Sequence, residues 1–205
     1  RPLCSYQLDV LRAGGVERVI VSCALGKGCA FEEELQCDGI ELAIVEEPEP
    51  LGRGGGLRYA AAARASTGDL LALNGDELLG LDVSDMIAAH RDSCAVATIA
   101  VAPLVSQFGV VDIDDHNRVT GFTEAPVLPF WVSCGFYVLS EEALTRLPER
   151  GDHERSTFPE LASEQKLHVF KHEGLWLTVN TPKELRVARD YVEANPDWAA
   201  CEHSR

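Results

Sequence analysis

The apolar run Leu70-Leu71-Ala72-Leu73 closes on Asn74-Gly75-Asp76. Such a run, bounded by a small turn-forming pair, reads as a buried strand leading into a loop. In an open α/β sheet, ligands collect at the carboxyl ends of the strands. A carboxylate delivered there suits a divalent metal bridging phosphates, and the glycine beside it lets a ligand approach the backbone. The same three residues also make an ordinary turn with a solvated acid. A second candidate lies upstream, in Glu46-Glu47-Pro48-Glu49-Pro50-Leu51-Gly52-Arg53-Gly54-Gly55-Gly56-Leu57. Its glycines expose backbone N–H groups and permit positive φ, and a helix that follows offers its positive end to an anion. No Gly-Lys-Ser/Thr is present, so this is not a Walker loop. Glu47 can accept from both N1–H and the exocyclic amine of guanine. A strand-to-helix linker carrying a solvated acid is the plainer alternative.

The elements that must position these groups follow from hydrophobic periodicity. A helix is predicted over 3–13 and is stopped by Gly14-Gly15. Strands are predicted over 19–23, 39–45 and 70–73, with helices over 57–65 and 83–89. This βαβαβ rhythm implies a mostly parallel sheet covered by helices on both faces. From residue 95 the rhythm changes to strands over 95–101, 110–113, 119–122 and 131–139. Asp114-Asp115-His116-Asn117 reads as a hairpin turn between the second and third of these. Helices over 141–147 and 158–164 and strands over 167–170 and 175–179 come next. A last helix opens on Thr181 as N-cap with Pro182 at its first position. Residues 196–205 read as a loose tail.

Composition narrows the partners. The chain has 205 residues, 46% of them hydrophobic, which is enough for one sizeable core. A net charge of −15 argues against nucleic acid and anionic membranes, both of which need a basic footprint. It leaves room for a phosphorylated small ligand held by a few amides and one metal. No apolar stretch approaches the roughly 18–20 residues that span a bilayer, and no signal peptide is evident. Seven cysteines with no CxxC pair suit a reducing cytoplasm, and the six histidines are too scattered to assign. The opening on Arg1-Pro2, almost directly into a helix, reads as the start of a fragment.

Taken in order, several further motifs extend the pattern. They are Gly109-Val110-Val111-Asp112, Gly121-Phe122-Thr123-Glu124-Ala125-Pro126, Trp131-Val132-Ser133-Cys134-Gly135-Phe136-Tyr137-Val138 and Gly174-Leu175-Trp176-Leu177-Thr178-Val179-Asn180-Thr181-Pro182. With the glycine run and Asn74-Gly75-Asp76, their order and spacing resemble the sugar-1-phosphate nucleotidylyltransferases, in the mannose-1-phosphate guanylyltransferase-like branch, from Arg1 to about Tyr191. The resemblance implies an α/β, Rossmann-like three-layer sandwich with a mixed, mostly parallel central sheet. Its first strand and phosphate loop are missing from this stretch, since Arg1-Pro2 matches a Lys/Arg-Pro just downstream of them. One domain is expected over 1–195, with a nucleotide half over about 1–94 and a sugar-phosphate half over about 95–195.

The implied reaction joins a sugar-1-phosphate, or a cyclitol phosphate, to a nucleoside triphosphate, GTP above all, and releases pyrophosphate. By the same resemblance, Asp76 is the catalytic residue and holds the Mg²⁺. Glu47, Leu51, Gly52, Arg53, Gly54, Asn74 and Gly75 form the nucleotide side. Gly109, Glu124, Ser133, Gly135, Tyr137, Trp176 and Thr178 line the sugar-phosphate side. Gly109 and Gly135 equally suit close strand packing, and Trp176 equally suits a core position.

Three positions depart from the family pattern. The triphosphate loop has no counterpart, the Lys expected after the sugar-binding Glu is Ala125, and the second metal-binding Asp is Thr178. Asp82 and Asp112 are candidates to replace that second carboxylate. Arg53 stands where a small hydroxyl residue is usual and could reach a phosphate. These departures also fit a rival, a non-catalytic nucleotide-sugar-binding or regulatory subunit of the same fold. A metal-dependent glycosyltransferase is disfavoured, because Asn74-Gly75-Asp76 is not Asp-x-Asp. Apolar content near the last helix allows a homo-oligomer.

Overall fold

The computed structural model describes residues 2–35, 38–196 and 198. Arg1 and nearly all of the expected tail lie outside the described residues.

Helix α1 (Leu3–Ala13) turns Leu8, Val10 and Leu11 inward and ends at Gly14. A Cβ at Gly14 would lie 2.4 Å from that of Val83, so α1 stops against the start of helix α4 (Val83–Ser93). Strand β1 (Arg18–Ala24) runs parallel to β2 (Glu41–Glu47), joined through a short helix α2 (Gly28–Glu34). Its sequence is a short apolar run, Cys29-Ala30-Phe31, followed by three glutamates, which gives α2 no helical periodicity to read. Helix α3 spans Gly52–Ala61, five residues earlier than the expected start.

The central sheet has the order β3-β8-β5-β9. It comprises β3 (Leu70–Leu73), β5 (Ala97–Val105), β8 (Val127–Leu139) and β9 (Leu167–Lys171). The sheet is mixed. Pairing is parallel at β5–β9, as it is at β1–β2, while the long β8 runs antiparallel to both of its neighbours. Parallel pairing is therefore less widespread than the βαβ rhythm of the N-terminal half predicts.

Alternation along β8 divides the interior into two cores. Cys134, Phe136 and Val138 join α1, α4 (Val83–Ser93) and the C-terminal helix α7 (Pro182–Ala194) on one face. Tyr137 and Leu139 join α5 (Glu141–Arg146), α6 (Thr157–Ser163) and the Leu57 side of α3 on the other. This is a three-layer arrangement around one sheet. Helix α7 begins as expected, with the Thr181 hydroxyl accepting from the Glu184 amide at 3.2 Å.

Strands β6 (Val110–Ile113) and β7 (Val119–Thr123) form a separate hairpin. Its turn places Asn117 at φ +60, while the Asp114 carboxylate accepts from the amides of His116 and Arg118 at 2.9 Å each. Among the described residues, β1 bonds only β2 and β3 bonds only β8. A largely apolar groove of about 530 Å³ is lined by residues of both β1 and β3, Val19, Val21, Leu71 and Leu73, together with Leu8 and Leu57. No helix among the described residues is long and apolar enough to cross a membrane.

Candidate functional site

Strand β3 hands the chain to the turn Asn74-Gly75-Asp76 and then to a short strand β4 (Glu77–Leu79), too brief for its period to show in the sequence. Strand β4 pairs antiparallel with β10 (Trp176–Thr178), which sets Thr178 opposite Glu77. The Val179 amide donates to the Asp76 carbonyl at 2.8 Å. Two positions about a hundred residues apart, Asp76 and Thr178, therefore meet at one end of a ladder.

Other segments close around the same turn. The Asn74 amide donates to the Gly135 carbonyl at 2.8 Å. Gly135 sits at φ +70, where a Cβ would lie 2.6 Å from the Asn74 side-chain nitrogen and 3.1 Å from Glu77 Cγ. Only glycine tolerates both the conformation and the contact. The Gly135 amide also approaches Ser133 Oγ at 3.3 Å. Trp176 donates its indole N–H to Glu77 Oε2 at 2.8 Å. Gly75, by contrast, has nothing within 4 Å of where a Cβ would stand. Its glycine is not demanded by packing, and that side of the turn is open to a ligand.

Glu77 is the residue sequence reasoning missed. Burial, reinforced by the neighbouring Asp76 charge, pushes its carboxyl up to about 7 against the indole hydrogen bond. The only sequence signal was its adjacency to Asp76. The two acids put forward to replace the missing carboxylate are otherwise engaged. Asp82 caps α4 by accepting from the Asp85 amide at 3.0 Å, and Asp112 lies over Gly121 in the hairpin, its Oδ2 2.4 Å from where a Cβ would stand. Among the described residues, no group of three or more His, Cys, Asp or Glu is arranged to hold a metal ion unaided. Asp76, Glu77 and Thr178 carry oxygens of the hard type that divalent cations take, and Thr178 stands opposite Glu77 in the β4–β10 ladder. The Thr178 hydroxyl is itself held by a 2.7 Å bond from the Asn180 amide side chain.

On the sugar-phosphate side, the structure brings Gly109 and Glu124 together across the mouth of the β6–β7 hairpin. A Cβ at Gly109 would meet the Phe122 ring at 2.3 Å and Glu124 Oε2 at 2.9 Å. Tyr137 does not share this surface. It is fully buried in the core it shares with Leu139, α5 and α6, with its hydroxyl donating to Glu154 at 2.9 Å, because the alternation of β8 sends it to the face away from Phe136 and Val138.

The glycine run also differs from its expected form. It is not a loop before a helix but the first turn and a half of α3 itself. Gly54 and Gly55 both donate to the Gly151 carbonyl, at 2.8 and 3.2 Å, and Gly151 returns a bond to the Leu51 carbonyl at 2.7 Å. A Cβ at Gly54 would lie 2.7 Å from the His153 nitrogen, and one at Gly55 2.6 Å from the Glu149 carbonyl. These glycines let the 148–153 segment press onto the helix, which takes the Gly54 N–H out of reach of a base. Gly52, at φ +78, packs against Gly151 in the same way. Arg53 is turned to Asp152 at 3.3 Å and Glu154 at 2.7 Å rather than toward a phosphate site. The Glu47 carboxylate accepts from Ser22 Oγ at 2.9 Å and from the Leu51 amide at 3.2 Å, so it braces the entry to α3.

In a three-layer α/β sandwich ligands bind at the carboxyl ends of the sheet strands, which is where the acid-bearing turn stands. Residues 1–195 match the nucleotidyl transferase family, and the chain belongs to it. It is similar to the mannose-1-phosphate guanylyltransferase of Mycobacterium tuberculosis, at 28% identity over 207 residues covering 96% of this chain and 55% of that protein. It is also similar to the Drosophila melanogaster mannose-1-phosphate guanylyltransferase catalytic subunit beta, at 26% over 194 residues, 90% of this chain and 52% of that one. The chain thus spans about half the length of these curated relatives. Among solved structures, HddC from Yersinia pseudotuberculosis superposes with a TM-score of 0.71 at 19% identity, covering 93% of this chain and 85% of that one. The same protein in a complex with GMP-PN gives 0.69 at 20%, covering 92% and 84%. These two likenesses establish the fold.

Proposed function

We propose that the protein carrying this chain is a nucleotidylyltransferase that joins a sugar-1-phosphate or cyclitol phosphate to GTP. The observation that supports this reading is the backbone pairing that sets Asp76 and Glu77 against Thr178 and Val179, beside the open face of Gly75. In such a reaction an oxygen of the sugar phosphate forms a bond to the α-phosphorus. The bond from that phosphorus to the oxygen bridging to the β-phosphate breaks, and pyrophosphate leaves with the electron pair. The nucleophile is already an anion, so no general base is required, and the work lies in alignment and charge neutralisation. Asp76, with Glu77 and Thr178 beside it, would hold the Mg²⁺ that neutralises phosphate charge. Gly75 and Asn74 would let the nucleotide approach the backbone. Gly109, Glu124, Ser133, Gly135 and Trp176 form the sugar-phosphate side of the proposal.

Preference for guanine rests on the relatives named as guanylyltransferases and on the GMP-PN complex of HddC. Glu47 is a weaker support for it than its position in the sequence suggested, since both of its oxygens already accept bonds within the chain. Free thiols at Cys4, Cys23, Cys29, Cys94 and Cys134 support a reducing, cytoplasmic setting.

The test is pyrophosphate release by the full-length protein, with each nucleoside triphosphate against a panel of sugar and cyclitol phosphates. Release with GTP and a hexose-1-phosphate is expected. Ala125 and Thr178, each replacing a charged residue of the family pattern, favour the second reading of a nucleotide-sugar-binding subunit. Tight GTP binding without release for any pair would select it.

A further inference from the structure

Gln7 lies on the face of α1 that carries Leu8 and Leu11 into the core, and only 8% of its surface is exposed. A primary amide at such a position is costly unless its hydrogen-bonding groups find partners. Its Nε2 has two N–H groups. One donates to the Asn74 carbonyl at 2.8 Å and the other to the Glu77 carbonyl at 2.6 Å. Both partners are acceptors, so the amide can be oriented in only one way, with the nitrogen facing the turn. These two carbonyls flank Gly75-Asp76, so a single planar group spans the turn that presents the acid. The other backbone anchors come from the Gly135 carbonyl and the Val179 amide.

We propose that Gln7 is a positioning residue for the Asp76 site, fixing the 74–75 and 77–78 peptides that bracket Gly75-Asp76-Glu77 and thereby the course of the turn that presents the carboxylate. The proposal rests on the nucleotidylyltransferase reading for its catalytic consequence but not for its effect on metal affinity. Groups that orient a ligating carboxylate without touching the metal typically change affinity or activity by about 10–100-fold when lost. A residue that merely fills space on α1 would change stability alone.

Two substitutions separate these cases in the full-length protein. Gln7→Met keeps the length and packing of the side chain and removes both donors. Gln7→Glu keeps the shape and sets a carboxylate against two carbonyls. Mn²⁺ serves as the probe, titrated by electron paramagnetic resonance in the presence of GTP, alongside thermal melting and the Mg²⁺ dependence of pyrophosphate release. The expected result is roughly a 10-fold loss of Mn²⁺ affinity in Gln7→Met. Its kcat should recover in part as Mg²⁺ is raised, while KM for GTP stays unchanged. Gln7→Glu should lose more affinity than Gln7→Met at neutral pH, because a carboxylate then faces two carbonyls. Either variant with lowered melting but wild-type Mn²⁺ affinity and Mg²⁺ activation overturns the proposal. Wild-type protein that binds Mn²⁺ with GTP yet releases no pyrophosphate would remove the proposed reaction, and weakened Mn²⁺ binding in the variants would still support the role of Gln7.

Discussion

At residues 52–56 four glycines sit inside a helix, three of them with the 148–153 segment pressed onto them and Gly56 against the Glu47 carboxylate. At residues 74–77 a lone glycine faces open space while its neighbours are tied to α1, β8 and β10. The first region has the composition of a ligand cradle and acts as a packing surface. The second has the composition of an ordinary turn and gathers the oxygens that could hold a metal. Glycine content therefore says that something comes close to the backbone, without saying whether it is another part of the chain or a ligand.

The contrast breaks most sharply at Asp76. Asp76→Asn should reduce turnover by about 100-fold or more, on the scale of losing one preorganised charge-stabilising group, with little change in melting. Retained activity in a pyrophosphate assay would move the metal site elsewhere. On the packing side, Gly54→Val should cost about 3 kcal/mol and lower Tm by roughly 6–12 °C, because its side chain meets the backbone of His153 and the Pro148 ring. A calorimetric Tm within 2 °C or so of wild type would mean that the 148–153 segment is not held there. Gly135→Ala combines the strain of φ +70 with a contact on Asn74, and should cost about 1–3 kcal/mol along with some Mg²⁺-dependent activity.

Titration offers a finer test. His153 is fully buried, with no hydrogen-bond partner for either ring nitrogen among the described residues, and burial holds its pKa below the ordinary imidazole value, as it does for His90. The unfolded chain takes up these protons first, so stability should decline as pH falls below about 6.5. Glu77 works in the opposite sense. With its pKa raised to about 7, its contribution is fully present below the ordinary value of 4.5 and is lost as pH rises through about 7. Glu77→Gln, which keeps an acceptor for Trp176, should therefore melt higher than wild type at pH 8 and differ less at pH 5. Equal differences at both pH values would mean that the carboxyl is not perturbed. The smallest effect belongs to Arg53→Ala. A half-exposed ion pair is worth about 1 kcal/mol at most, and KM for GTP should not move, since the guanidinium faces Asp152 and Glu154. A raised KM would restore Arg53 to the nucleotide site.

The sequence by itself determined the elements whose signals are local. Leu70–Leu73 and Val110–Ile113 were legible as strands from their own residues, and Thr181-Pro182 as a helix start from capping chemistry. It also singled out Asp76, because an acid after an apolar run is a short-range pattern. Tertiary structure alone decided what surrounds that acid. Strand β4 exists because β10 pairs with it, Glu77 is perturbed because Trp176 and the core enclose it, and Gln7 reaches the turn across a separation of 67 residues. The same holds for the glycine run, whose freedom is filled by the 148–153 segment, and for Tyr137, which the pleat of β8 sends to the opposite core. Hydrogen-bond partners and burial are properties of what comes near a residue in space, and one-dimensional spacing does not encode them.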